Sequence, residues 1–249
     1  MELVEIINRV ATGLVEVDTN TKTKTVGNRK TDRATGKLMP GKEFLPGVKT
    51  MREPQFVVEL VEWWKVKFAS DFNPISSVQT QVPYPDHPKG NDCDLVFSTT
   101  PNQNISEWAI EFKHISFCGD NGIKNDHGVQ KMLSPYRKDR ALVHDIERLK
   151  VSPIAKRKAV IGYCFNYSFE QCDLAEKIHP GEITRINNVR ATCKENDPVK
   201  GILNIKEIVN FADTIFTGLG LVLPVVESDF NNAWRHPCGG SGTIFGWEI

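Results

Sequence analysis

The feature that most constrains the fold is a pair of short apolar runs on either side of a polar connection. The first run is residues 93–97 (Cys-Asp-Leu-Val-Phe), and the second is residues 108–117. The connection between them, residues 98–106, is rich in Thr, Asn, Pro and Gln. Two apolar runs around a polar turn are the signature of a β-hairpin. We therefore predict two adjacent antiparallel strands in this part of the chain.

Three charged residues lie within these apolar runs. Glu111 and Lys113 are two residues apart, so both side chains leave the same face of the second strand. Burying a carboxylate and an ammonium on an apolar strand is costly unless something compensates them. Asp94 is the only charged residue of the first run and can meet Glu111 across the hairpin. Two neighbouring carboxylates repel unless a cation lies between them, and oxygen ligands suit Mg²⁺.

Asp94, followed after sixteen residues by Glu111-Phe112-Lys113, resembles the motif of the PD-(D/E)XK nuclease superfamily. In that motif the aspartate ends or interrupts one strand and the E-x-K sequence lies on the next. The resemblance covers about residues 54–167 and departs from the pattern at Cys93, where the motif has a proline that is often missing in the superfamily. The alternative is a surface hairpin with a cross-strand salt bridge.

The resemblance implies an α/β fold with a restriction-endonuclease-like αβββαβ core, in which a central mixed sheet is flanked by helices. Hydrophobic periodicity independently predicts this element order. The expected elements are a helix at about 54–69, strands at 75–82, 93–97 and 108–117, a helix opened by Ser134-Pro135, and a buried strand at 159–165. We expect one domain of 249 residues, with elaborations at 1–53 and 168–249.

The elaborations contain further predicted elements. Residues 2–17 have the spacing of an amphipathic helix, and residues 168–178 and 202–219 are also predicted to be helical. Residues 180–198 are expected to form an irregular polar connection. Residues 221–226 and 243–249 are predicted strands, joined by a turn that contains Gly-Gly-Ser-Gly.

The resemblance also implies roles for individual residues. Asp94 and Glu111 would bind Mg²⁺, for which Mn²⁺ can substitute, and Lys113 would orient or help to deprotonate the attacking water. Related nucleases often place a carboxylate from the preceding helix near the metal. Glu59 is our choice for that carboxylate, with Glu62 as the alternative, and a merely solvated glutamate remains an open interpretation.

Contacts with nucleic acid have to come from local patches, because 31 basic and 31 acidic residues leave a formal net charge of zero. Residues 19–42 contain seven basic residues and one acidic residue, a local charge of +6. This basic segment is either solvated surface or a phosphate-binding element. The candidate DNA-binding residues are Lys22, Lys24, Arg29 and Lys30 in this segment, and Arg137 and Arg140 farther along the chain.

The composition, 40% hydrophobic and 25% charged, is typical of a soluble globular protein. The six cysteines lack zinc-site spacings, which favours free thiols in a reducing cytosol. The first twenty residues do not resemble a signal peptide, and no apolar stretch is long enough to span a membrane. We therefore expect a cytoplasmic protein without membrane contact.

These observations predict a metal-dependent endonuclease that hydrolyses DNA phosphodiester bonds, in restriction or defence. The alternatives are a repair or mobile-element nuclease, a nuclease-fold protein that binds nucleic acid without cutting it, and a structural or interaction protein. The sequence does not distinguish a DNA from an RNA substrate, or a single-stranded from a double-stranded one. It also leaves open whether the chain forms a homodimer.

Overall fold

The computed structural model describes residues 1–22, 24–26, 35, 42–72, 74–86, 91–99, 105–125, 130–134, 136 and 141–249. The helices in these ranges are α1 (Leu3–Asn20), α2 (Glu53–Lys67), α3 (Gln130–Leu133), α4 (Leu142–Val151), α5 (Phe169–Ile178), α6 (Ile183–Asn196) and α7 (Lys206–Gly218). The strands are β1 (Lys24–Val26), β2 (Lys42–Phe44), β3 (Gln79–Pro83), β4 (Asp92–Phe97), β5 (Ser106–Ile115), β6 (Ala155–Asn166), β7 (Val226–Ala233) and β8 (Gly240–Glu248).

Six of these strands form one mixed sheet in the order β3-β4-β5-β6-β8-β7. Neighbouring strands are antiparallel except β5 and β6, which are parallel. A parallel pair requires a crossover connection, and α3 and α4 lie in the segment that joins these two strands. The β1–β2 pair forms a separate two-stranded sheet.

Helices cover both faces of the large sheet. Helices α1, α2, α5 and α6 pack on one face, and α4 and α7 pack on the other. Alternation along β5 directs Ile110 and Phe112 into the first layer, and Ala109 and Ile115 into the second. Glu111 and Lys113 share the phase of Ala109, so they face the layer that contains α4.

Most predicted elements are confirmed with small changes in their ends. The first helix is α1, the hairpin strands are β4 and β5, and the order α2-β3-β4-β5-α4-β6 is as expected. The strand predicted from residue 75 begins only at Gln79, after a short 3-10 turn. The helix predicted to open at Ser134-Pro135 begins instead at Leu142, after an extended residue at Ala141. Ser134 and Tyr136 are not helical, and residues 135 and 137–140 lie outside the described ranges.

Three predictions for the C-terminal region were wrong. The Gly-Gly-Ser-Gly segment was expected to form a turn, but residues 240–242 belong to strand β8. Residues 180–198 were expected to be irregular, but most of them form α6, whose buried positions Ile186, Val189 and Cys193 follow helical spacing. The penultimate strand was placed at 221–226 and instead is β7, residues 226–233. This edge strand is mostly polar, so it lacks the apolar run on which the prediction relied.

A search of the described residues found no helix with the length and hydropathy needed to cross a bilayer.

Candidate active site

The candidate site lies where β4 and β5 separate. Their ladder pairs Leu95 with Ile110 and ends there, one step before Asp94 would face Glu111. Beyond this pair, a side chain replaces the backbone as hydrogen-bond acceptor for β5. Asp94 Oδ2 accepts a hydrogen bond from the Phe112 backbone N–H at 2.8 Å. Asp94 therefore ends the ladder and is fixed between the two strands.

A side chain from β3 fixes the other oxygen of the same carboxylate. Asp94 Oδ1 accepts a hydrogen bond from Gln81 Nε2 at 2.8 Å. Gln81 has a φ of 54°, in the left-handed region that non-glycine residues rarely adopt. An unusual backbone conformation beside a buried carboxylate indicates a site whose geometry is held by its surroundings.

Glu111 lies beside Asp94 and is also buried. Its Oε1 accepts two hydrogen bonds, one from the Tyr84 hydroxyl at 2.7 Å and one from Arg148 Nη2 at 2.9 Å. Burial and then the charge of Asp94 raise the pKa of Glu111 to about 8. Burial likewise raises the pKa of Asp94. The two carboxyl groups are hydrogen-bonded to each other. Without a cation, the pair therefore retains a proton at neutral pH.

Lys113 is close to two further carboxylates. Its Nζ lies 2.9 Å from Asp145 Oδ2 and 4.0 Å from Glu53 Oε2. Burial acts to lower the pKa of Lys113, but the charges of Asp145 and Glu53 outweigh burial and raise that pKa above its ordinary value. Lys113 is consequently a cation at neutral pH. This geometry fits a role in orienting groups and neutralising charge, and it does not fit removal of a proton from water.

Glu53 is the α2 carboxylate that reaches the site. It lies in the first turn of α2, where its Oε1 accepts a hydrogen bond from the His114 backbone N–H at 2.9 Å, and its charge acts on Asp94. Glu59, the residue chosen from the sequence, lies about 9 Å farther along the helix and accepts a hydrogen bond from Gln55. Glu62, the alternative, is exposed and pairs with Lys65. Glu53 therefore takes the place expected for Glu59.

Helix α4 supplies two residues that the sequence argument missed. Asp145 is 1% exposed and accepts a hydrogen bond from Arg148 Nη2 at 2.7 Å through the oxygen that does not face Lys113. Arg148 is thus bonded to both Asp145 and Glu111. A signal was present, because Asp145 adjoins Ile146 within the apolar stripe that includes Leu142. A carboxylate in such a stripe predicts a buried ion pair.

The candidate DNA-binding residues are only partly described. Lys22 is exposed and follows α1, and Lys24 lies on β1, although its side chain is outside the description. The remaining four candidates, Arg29, Lys30, Arg137 and Arg140, lie outside the described residues. The basic segment therefore remains a sequence-based prediction.

The carboxylate pair fits a hard divalent cation in its donor chemistry. Asp94 and Glu111 are hydrogen-bonded neighbours, and the charge of Asp94 raises the pKa of Glu111, so a cation could replace the shared proton. Within the described ranges, no three His, Cys, Asp or Glu residues are grouped to hold a metal. Mg²⁺ commonly takes only one or two protein carboxylates and completes its shell with water and substrate phosphate. Two carboxylates are thus sufficient for Mg²⁺.

Comparisons with known proteins leave the family open. A scan against protein-family models, a search of curated proteins and a search of solved structures each found no match. The functional interpretation therefore depends on the geometry of the site itself.

Proposed function

We propose that the protein is a Mg²⁺-dependent nuclease that hydrolyses phosphodiester bonds in DNA. The observation on which this proposal depends is the meeting of Asp94 with Glu111 where β4 and β5 separate, with Lys113 on the same face. The order α2-β3-β4-β5-α4-β6, with β6 parallel to β5, supports a restriction-endonuclease-like core. Cys93 in place of the usual proline leaves this arrangement unchanged, because Asp94 still ends the ladder.

A Mg²⁺ or Mn²⁺ ion at the carboxylate pair would polarise the phosphodiester and lower the pKa of a bound water. The protein's own groups supply the remaining functions. Asp94 and Glu111 provide the oxygen ligands, and their fixed orientation avoids reorganisation during the reaction. Lys113, held as an ammonium, offsets the negative charge that develops on the phosphoryl oxygens. The proton of the attacking water has to leave by a route other than Lys113.

The proposed substrate is DNA, and the proposed role is restriction or defence in the cytoplasm. The basic segment at residues 19–42 would contribute phosphate contacts, since its local charge of +6 contrasts with a neutral chain. Repair and mobile-element processing require the same chemistry and stay as alternative roles.

The decisive test is incubation of the purified protein with linear and circular DNA in Mg²⁺, Mn²⁺ or EDTA. We expect nicking or linearisation of the circle with either metal and none in EDTA. Glu111→Gln preserves the size of the side chain but removes its charge, so it should abolish cleavage. Equal cleavage by the variant, or no cleavage of DNA by the parent with either metal, would contradict the proposal. Parallel incubations with RNA and single-stranded DNA establish the substrate class.

A second candidate is a nuclease-fold protein that binds DNA without cutting it. The ion pairs that join Lys113 to Asp145 and Glu111 to Arg148 favour this alternative, because they already satisfy both motif residues. Retention of DNA in a gel-shift assay, with no cleavage under any metal, would support it over the enzyme.

A further inference from the structure

A chain of alternating charges joins the two charged residues of the E-x-K motif through α4. Lys113 Nζ lies 2.9 Å from Asp145, Asp145 lies 2.7 Å from Arg148 Nη2, and the same Arg148 nitrogen lies 2.9 Å from Glu111. Asp145 and Arg148 are three residues apart, so one turn of helix reaches both motif residues. Lys113 and Glu111 are therefore held by a common element.

Tyr84 completes the arrangement at Glu111. Its hydroxyl donates to Glu111 Oε1 at 2.7 Å, and its ring lies 5.1 Å from the Arg148 guanidinium carbon. Both donors use Oε1, so they fix the orientation of the Glu111 carboxylate. The same carboxylate is hydrogen-bonded to Asp94, where a cation would bind. Groups that orient a ligand in this way typically change metal affinity or activity 10–100-fold when they are removed.

Stability alone does not account for these charges. The other buried positions of α4, Leu142, Ile146 and Leu149, are aliphatic and fill the layer between the helix and the sheet. A buried ion pair is often no more stabilising than apolar residues of similar volume. Aliphatic residues in place of the whole set of linked charges would serve packing equally well, which points to a role for the charges.

We propose that Tyr84, Asp145 and Arg148 are positioning residues of the candidate active site, which hold the two charged groups of the E-x-K motif. This inference rests on the proposed function, because it takes the carboxylate pair as a cation site. Tyr84 and Arg148 fix the carboxylate of Glu111. Asp145 keeps the ammonium of Lys113 on the face where the phosphodiester would bind.

Tyr84→Phe tests the first part without changing any charge. Mn²⁺ affinity is measured by titration calorimetry in the absence of DNA. We expect Mn²⁺ to bind the variant 10–100-fold more weakly than the parent, because the Glu111 carboxylate loses a fixed donor. Mn²⁺ affinity within threefold of the parent would overturn the inference while leaving the cation site intact. Absence of Mn²⁺ binding by the parent would overturn the site and the inference together.

Asp145→Asn tests the second part by separating catalysis from binding. We expect kcat for DNA cleavage to fall 10–100-fold. DNA affinity in Ca²⁺ should stay the same or increase, because the variant has lost a negative charge near the substrate. An unchanged kcat, or a loss of DNA affinity that explains the loss of activity, would refute the role.

Arg157→Met is the matched control for both variants. Arg157 forms a two-point ion pair with Glu248, at 2.8 and 2.7 Å, between β6 and β8. Breaking this pair should leave Mn²⁺ affinity and kcat within threefold of the parent. Equal effects in the control would show that the loss of any ion pair weakens the protein, and would overturn the inference.

Discussion

Glu111→Gln should remove a pH dependence of stability that the carboxylate pair creates. The folded protein holds the Glu111 proton up to a pKa of about 8, whereas the ordinary pKa of this carboxyl is 4.5. Glutamine resembles the protonated carboxyl in shape. It keeps an acceptor for Tyr84 and Arg148, and it can donate to Asp94 as the protonated carboxyl does.

The sign and size of the effect follow from proton linkage. Between about pH 4.5 and 8 the unfolded chain releases this proton while the folded protein retains it. The contribution of Glu111 to the free energy of unfolding therefore falls as the pH rises, by about 1.4 kcal/mol per pH unit, and levels off above about pH 8. The glutamine variant lacks this loss, so its stability relative to the parent should increase steadily across the same window.

The assay is urea unfolding in EDTA at pH 5, 6, 7, 8 and 9, followed by tryptophan fluorescence. Glu62→Gln, which removes an exposed carboxylate of α2, is the control. Its free energy of unfolding should depend on pH in the same way as that of the parent. Parallel curves for the parent and Glu111→Gln between pH 5 and 8 would refute the reasoning. A free energy of unfolding of Glu111→Gln that falls relative to that of the parent as the pH rises would refute it as well.

Three further predictions address other parts of the molecule. Lys113→Met should abolish cleavage and destabilise the fold by roughly 1–3 kcal/mol, since buried Asp145 loses a charged partner; activity assays and urea unfolding measure the two effects. Neutralising the basic residues of 19–42 should weaken DNA binding. In a salt titration, the slope of log binding constant against log salt concentration should become shallower by about one unit per lost phosphate contact. An unchanged slope would mean that this segment is only solvated surface. Gly162→Ala should lower the free energy of unfolding by about 1–3 kcal/mol, because its Cβ would meet an aromatic ring of β8. Gly181→Ala is the control and should leave the free energy of unfolding nearly unchanged, because an added Cβ there meets no other atom.

The centre of the fold was predictable because local patterns specify it. The apolar runs of β4 and β5 and the polar turn between them are visible in the sequence, and strand alternation gives the shared face of Glu111 and Lys113. Helix α6 was missed because its apolar stripe is narrow and its other positions are polar. The edge strand β7 has a register irregularity between Phe230 and Ala233 and few apolar residues, so it leaves little periodic signal.

The surroundings of the carboxylate pair were not predictable, because they depend on how separate elements pack. Glu53 reaches the site from the first turn of α2, whereas Glu59 lies farther along the same helix. Asp145 reaches Lys113 only because α4 covers that face of the sheet. Sequence spacing assigns such residues to a helix, but it does not give the distance between that helix and a strand.

The central claim is that Asp94 and Glu111 form a cation site, and thermal unfolding tests it most directly. The parent and Asp94→Asn are melted in EDTA, in millimolar Mg²⁺ and in millimolar Mn²⁺. A cation that binds only the folded state at ten times its Kd adds about 1.4 kcal/mol. For a chain of this size, that raises the melting temperature by about 3–5 °C.

We predict this rise for the parent and its loss in Asp94→Asn. The variant should be at least as stable as the parent in EDTA, since it no longer buries the negative charge of Asp94 that raises the pKa of Glu111. A parent whose melting temperature does not respond to either metal, together with a variant that is less stable in EDTA, would contradict the account and favour a salt-bridged hairpin without a cation site.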